Sequence, residues 1–199
     1  IPKREVELPT PPIIGDENPT KYLIKLCRQT LSEMSFPSKK IEDLYRDRLE
    51  SEIDAIVKQK FEVYFLIVWE LINWCKSNDI MVGPGRGSSG GSLVCYLLGI
   101  TEVDPIYHKL IFARFISPAR IDLPDIDMDF EDTKRDLVRK HLEETYGVWN
   151  VAGVSTYSTM KGKGALRDVC RVFDVPLFEV NKAAACIETK LAGEERSDC

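Results

Sequence analysis

Ile121-Asp122-Leu123-Pro124-Asp125-Ile126-Asp127-Met128-Asp129-Phe130 alternates acidic and apolar side chains. A period of two is the spacing of an extended strand, so Asp125, Asp127 and Asp129 fall on one face, about 6.6 Å apart along the chain, while Ile126, Met128 and Phe130 face the other way. Three like charges in a row repel one another unless a cation lies among them. Oxygen-only ligands suit Mg²⁺ or Mn²⁺, and neighbouring carboxylates that share a pair of metals about 3.5–4 Å apart are the recurring device for in-line phosphoryl transfer. A solvated acidic edge strand, charged to discourage sheet-to-sheet pairing, gives the same pattern and stays open. A calcium loop does not fit, because the segment lacks both the glycine turn and the closing Glu of an EF-hand.

Upstream stands a second unusual stretch, Gly83-Pro84-Gly85-Arg86-Gly87-Ser88-Ser89-Gly90-Gly91-Ser92. It follows a short apolar run, Asp79-Ile80-Met81-Val82, read as a strand, and precedes a helix over Leu93 to Leu98 closed by Gly99. Strand, glycine turn and helix start make a natural phosphate cradle, since the backbone approaches closely and the helix dipole favours anions. Arg86 within the turn adds a guanidinium suited to phosphate. A turn with no ligand remains the plain alternative. Gly85-Arg86-Gly87-Ser88-Ser89-Gly90 also fits GxGxxG, so a Rossmann-type nucleotide module is a competing class; yet no Asp or Glu lies between Asp104 and Asp122, where the ribose-binding acid is expected. No Gly-Lys-Ser/Thr closes the loop as a P-loop would require.

The rest of the chain sets the frame. A formal net charge of −5 excludes a simple basic nucleic-acid coat but is compatible with an enzyme whose acids are clustered at a metal site. No apolar run reaches the roughly 18–20 residues of a membrane span. The six cysteines form no CxxC pair and, with two histidines, disfavour structural zinc. Five prolines between Ile1 and Pro19 predict an extended arm. Helices are predicted from Pro19 to before Pro37, from Ser38 to Lys60, from Val63 to Asn78 (apolar on most sides, hence buried), from Asp132 or Thr133 to Tyr146 with Leu137, Val138 and Leu142 inward, and from Ala165 to Phe173. Val151 to Tyr157 reads as a further short strand.

Loop and acids together resemble the family C DNA polymerases, the class of the bacterial DNA polymerase III alpha subunit. The resemblance is carried by Val82-Gly83-Pro84-Gly85-Arg86-Gly87-Ser88, Gly91-Ser92-Leu93-Val94, Ile100-Thr101 with Asp104-Pro105, Phe112-Ala113-Arg114-Phe115 and Pro124-Asp125-Ile126-Asp127-Met128-Asp129-Phe130. Tyr64 to Val68, Thr159-Met160 and Arg167-Asp168-Val169 extend it, so that it covers Tyr22 to about Val175, with no inserted cysteine cluster. The resemblance implies an α+β fold: an incomplete palm of the polymerase-beta-like nucleotidyltransferase type, a mixed sheet with flanking helices, plus the start of a helical thumb. The implied organisation is an arm over 1–20, palm over 21–155 and thumb over 156–199.

By the same resemblance Asp125 and Asp127 match two catalytic metal ligands, with Asp129 supporting them. Gly87 and Ser88 match the element that holds the incoming triphosphate, Arg86 adjoins it, and Arg114 and Arg120 match basic residues near the phosphates. Lys163 matches a residue facing the primer-template backbone. The implied cofactor is a pair of Mg²⁺ ions, with Mn²⁺ as a substitute. The implied substrates are primer-template DNA and a deoxynucleoside triphosphate, and the implied setting is the bacterial cytoplasm, for a cellular or phage protein. A sliding clamp and other replisome subunits would join through the parent enzyme; no membrane is involved. The family's third catalytic aspartate, its fingers and its amino-terminal domain have no counterpart here. The chain alone is therefore expected to polymerise poorly, as a fragment or as one half of a split enzyme that needs the remaining chain as partner.

Overall fold

The structure, a computed structural model, describes residues 8–117, 123–189 and 195–197. Contacts divide the chain into two compact units, Ile1–Ala152 and Gly153–Cys199.

The first unit is built on helices. Asn18 caps α1 (Pro19–Glu33), its side chain accepting from the Lys21 N–H at 3.2 Å, and Pro19 occupies the first helical turn, where a missing N–H costs nothing. Leu23, Cys27 and Leu31, four residues apart, form its buried stripe. Ser38 caps α2 (Lys39–Lys58), which buries Tyr45, Leu49, Glu52, Ile53 and Ile56. Lys60, with φ 59°, makes the tight turn into α3 (Glu62–Ser77). As its composition predicts, α3 is the most buried of these three long helices, with Phe65 and Leu66 fully enclosed. A short α4 (Leu93–Leu97), capped by Ser92, completes the core with Leu93, Val94 and Cys95 buried. Ile126 from the acidic stretch packs into the same cluster. Burial holds the Cys27 thiol up at about 12, so this cysteine is inert packing.

One buried charge ties these parts together. Glu52 is fully enclosed, yet each of its oxygens is partnered. Oε1 accepts from the Leu93 N–H at 3.0 Å and pairs with Arg48 Nε at 2.6 Å; Oε2 accepts from the Val94 N–H at 3.1 Å and the Ser92 hydroxyl at 2.9 Å. Burial pushes this carboxyl above the ordinary range, while the Leu93 and Val94 N–H groups, Arg48 and Ser92 pull it back. Arg48 also donates to the carbonyls of Gly91 (2.8 Å) and Leu110 (3.3 Å), holding the end of the glycine loop against the following segment.

A second cluster seats α5 (Arg135–Tyr146) on α3. His141 stacks on Trp74 with ring centres 3.9 Å apart and bonds Glu70 Oε1 at 2.9 Å. Val138 is buried there and Leu142 packs beside it, but Leu137, predicted inward, is 52% exposed. A shift of one position rotates a side chain by about 100° around a helix, so the true stripe is centred on Val138.

In the second unit α6 (Gly162–Val172) packs with α7 (Leu177–Ala185), linked by Arg167 Nε and Asn181 Oδ1 at 3.5 Å. β1 (Ile187–Thr189) pairs antiparallel with β2 (Glu195–Ser197).

The predicted palm, a mixed sheet flanked by helices, is not what the described residues form. Beyond the β1–β2 ribbon there is one antiparallel bridge, Val82 to Phe130, and the remainder is helix and loop. Alternation dictates which way side chains point in an extended segment, but a sheet also needs neighbours to complete a hydrogen-bonded ladder. The one neighbour, Met81–Gly83, bends away at once into the glycine loop. Val151 to Tyr157 likewise pairs with nothing among the described residues and is largely exposed. Among the described residues no helix is long and apolar enough to cross a membrane.

Glu52→Gln replaces an acceptor oxygen by an amide that meets backbone donors and leaves Arg48 without its counter-charge. The loss expected for breaking a buried pair is about 3–5 kcal/mol in chemical denaturation. Glu42→Gln, on the exposed side of α2, should leave stability nearly unchanged. Equal effects of the two substitutions would contradict the role assigned to Glu52.

Candidate functional site

The chain passes twice through one corner of the first unit. Ile80 is buried just after α3 and its N–H donates to the Cys75 carbonyl at 2.9 Å. Val82 then bridges Phe130, flanked by Gly83 N–H to Asp129 O at 2.8 Å and Glu131 N–H to Met81 O at 3.1 Å. Behind this pairing Ile126 is buried and Met128 and Phe130 pack on the core, so the apolar face of the alternating stretch points inward as predicted. Asp125 and Asp129 are exposed and Asp127 is half-buried, on the opposite side.

From Gly83 the loop curls over these acids. Gly85 (φ 92°) lies so close to Thr101 that a Cβ would stand 2.6 Å from its Cγ2. Gly87 (φ 71°) faces Asp127 in the same way, with a Cβ position 2.8 Å from Oδ2. Both need the left-handed backbone and the missing side chain. Between them Arg86 places Nε 3.2 Å from Asp129 Oδ1 and Nη2 3.7 Å from Asp127 Oδ1. Ser89 is buried, its hydroxyl donating to the Arg86 carbonyl at 2.9 Å. Glycine turn and acidic stretch, 40 positions apart in sequence for Gly87 and Asp127, are thus in direct contact.

A cleft of about 250 Å³ opens beside this contact and is lined by Ser88, Arg114 and Asp125, with Gln59 and Phe61 from the α2–α3 turn. The structure therefore brings together Arg86, Gly87, Asp127 and Asp129 in one contact set, and Ser88, Arg114 and Asp125 around one cleft. Arg120 lies outside the described residues. Lys163 belongs to α6 of the second unit.

The start of α4 is not open to a ligand anion. Its Leu93 and Val94 N–H groups already serve the Glu52 carboxylate, within the core. What remains for a ligand is the exposed apex, Arg86-Gly87-Ser88.

Two residues that support the site were not singled out from the sequence. Glu52 shares a helical face with Leu49, Ile53 and Ile56, and a charge on an apolar stripe with Arg48 one turn earlier was the available signal. Tyr64 accepts from the Ile126 N–H through its hydroxyl at 3.3 Å, pinning the acidic stretch from beneath. Burial raises this phenol above its usual range, and the nearby charges of Asp125 and Asp127 add to the effect. No sequence pattern marks it, because the contact spans 62 positions.

Among the described residues no group of three or more His, Cys, Asp or Glu side chains converges to hold a metal. Asp125 and Asp127 still fit a hard divalent cation, because Mg²⁺ is commonly held by one or two carboxylates together with phosphate and water oxygens.

Comparisons with known proteins agree on one family. Residues 21–198 match the bacterial DNA polymerase III alpha NTPase domain. The chain is 44% identical over 177 residues to the DNA polymerase III subunit alpha of Staphylococcus aureus (strain Mu50 / ATCC 700699), covering 89% of this chain and 16% of that protein. It is 42% identical over 187 residues to the DNA polymerase III subunit alpha of Bacillus subtilis (strain 168), covering 94% of this chain and 16% of that protein. The chain thus spans about a sixth of the length of these curated relatives.

Glycine substitutions test the loop geometry. Gly87→Ala should lower stability by at least about 1 kcal/mol, from a positive φ and a clash with Asp127. Gly90→Ala, where a Cβ meets nothing within 4 Å, should be tolerated. Denaturant midpoints for the two variants would expose an error if they came out in the reverse order.

Proposed function

The chain belongs to the bacterial DNA polymerase III alpha family, and from that premise we propose that it supplies part of the nucleotidyl-transfer site of a replicative DNA polymerase. The reaction is template-directed addition of a deoxynucleoside monophosphate to a primer 3′-hydroxyl, with release of pyrophosphate. The observation that carries the reading is the contact between Gly87 and Asp127: a close-approach turn and a carboxylate, each of a type suited to one end of a metal–triphosphate unit, occupy the same spot.

In this reading Asp125 and Asp127 are the oxygen ligands for divalent cations, Mg²⁺ by preference and Mn²⁺ as a substitute. Two bound cations would lower the pKa of the primer hydroxyl and stabilise charge on the leaving pyrophosphate. Gly87 and Ser88 donate backbone and hydroxyl hydrogen bonds to the triphosphate oxygens. Arg114, on the cleft wall, offsets phosphate charge, and Arg120 is assigned the same task. Asp129 supports the pair. Lys163 is assigned to the primer-template backbone, where a flexible ammonium gives contact without sequence preference. No side-chain general base is needed. The setting is the bacterial cytoplasm, and the remainder of the polymerase, with its clamp and other replisome subunits, is the partner.

The decisive measurement has two parts. Mn²⁺ and Mn²⁺-dependent deoxynucleoside triphosphate binding to the chain should weaken at least tenfold in Asp125→Asn and in Asp127→Asn. In the full-length protein carrying this sequence, primer extension by either variant should fall by about a thousandfold or more, the scale for loss of a group acting on transition-state charge. Wild-type extension by both variants would remove these residues from the site.

A further inference from the structure

Arg86 stands where a cation belongs. Its Nε lies 3.2 Å from Asp129 Oδ1 and its Nη2 3.7 Å from Asp127 Oδ1, and among the described residues these are its ion pairs. The backbone at this point is held: the Arg86 carbonyl accepts from Ser89, and Gly87 abuts Asp127. The side chain is not, being 58% exposed. A planar guanidinium can present two edges to two carboxylates at once, which a single ammonium does less well.

We propose that Arg86 is an internal counter-ion for this site. It bridges Asp127 and Asp129 in the metal-free chain, a divalent cation displaces it from Asp127, and the released Nη edge turns to the triphosphate while Asp129 keeps Nε. Asp129 is then a positioning residue, not a metal ligand. This explains why a third acid follows two that suffice for a cation bound together with phosphate. The order of events is set by charge: while Arg86 covers Asp127 the site is partly neutralised without metal, and once displaced the guanidinium is free for an anion. The proposal rests on the reading of Asp125 and Asp127 as metal ligands.

The full chain without nucleotide is the material for the test, with Mn²⁺ binding followed by electron paramagnetic resonance. Exposed ion pairs are weak, so relief of the competition should tighten Mn²⁺ binding by roughly three- to tenfold in Arg86→Ala. Arg86→Lys should tighten it nearly as much, because the charge is kept but the two-edged bridge is lost. An unchanged affinity in Arg86→Ala overturns the proposal. So does an Arg86→Lys affinity equal to wild type beside a tightened Arg86→Ala, since charge alone would then account for the effect.

A second measurement follows the guanidinium itself. The Arg86 Nε–H resonance in ¹⁵N-labelled protein should shift in Asp129→Asn, and shift in the wild type when Mg²⁺ is added. Indifference to Asp129→Asn sinks the counter-ion even if Mn²⁺ binds as expected. A shift in Asp129→Asn with no Mn²⁺ binding in any variant instead sinks the metal-site reading, and the displacement step with it.

Discussion

A carboxylate sealed inside the helical core governs the rest. Moving a charge of this size out of water costs several kcal/mol even after relaxation, and Glu52 recovers that cost through two backbone N–H groups, a hydroxyl and a guanidinium. Those partners come from the start of α4, from Ser92 at the end of the glycine loop and from Arg48 one turn away. They are worth little singly, and the charge tolerates none of them missing. Helix α2, the loop end and α4 therefore form as one set. Arg48 extends the set to the carbonyls of Gly91 and Leu110, where Gly91 has room for no Cβ beside the Ile111 carbonyl.

This anchoring explains how a glycine-rich apex can be both exposed and definite. Glycines raise the entropy lost on ordering a loop, so an untethered run of them would not hold one shape. Here both ends are tied: Gly83 pairs with Asp129 and the Pro84 carbonyl accepts from the Glu102 N–H at 2.8 Å, while the far end enters the Glu52 network. Pro84 and the apex Arg86, Gly87 and Ser88 are left facing solvent. The acids opposite are held by backbone too, through the Val82–Phe130 bridge and the Tyr64 hydroxyl. Charged side chains on a held backbone keep a fixed placement while facing water, and the positive-φ glycines Gly85 and Gly87 make the turn that allows it.

Much of this was readable residue by residue. The start of α2 at Ser38, the apolar surround of α3 and the inward set Ile126-Met128-Phe130 all follow from local spacing, and the structure has each of them, whereas the Asn18 cap and the place of Cys27 in the α1 stripe emerge only in the fold. The mixed sheet, expected from the family resemblance, is absent among the described residues, and the alternation could not supply it: a period of two orients side chains whether or not a neighbour exists to pair with. Helix α7 and the β1–β2 ribbon carried too weak a pattern to be drawn at all. The helix-start phosphate cradle failed for a different reason. An N-terminus attracts whatever anion is nearest, and the nearest is Glu52, supplied from another helix.

By itself the amino-acid order determined the local quantities: which segments coil, which faces are apolar, that two stretches of unusual chemistry exist, and which family they belong to. Tertiary structure alone decided which groups meet. Arg86 against Asp127 and Asp129, Gly87 against Asp127, Tyr64 under Ile126 and Glu52 at the start of α4 are all contacts between segments distant along the chain. Spacing rules reach only as far as one helix turn or one strand pair. Beyond that range the closing of the core chooses the partners, because a buried charge or donor accepts only the arrangement that satisfies it.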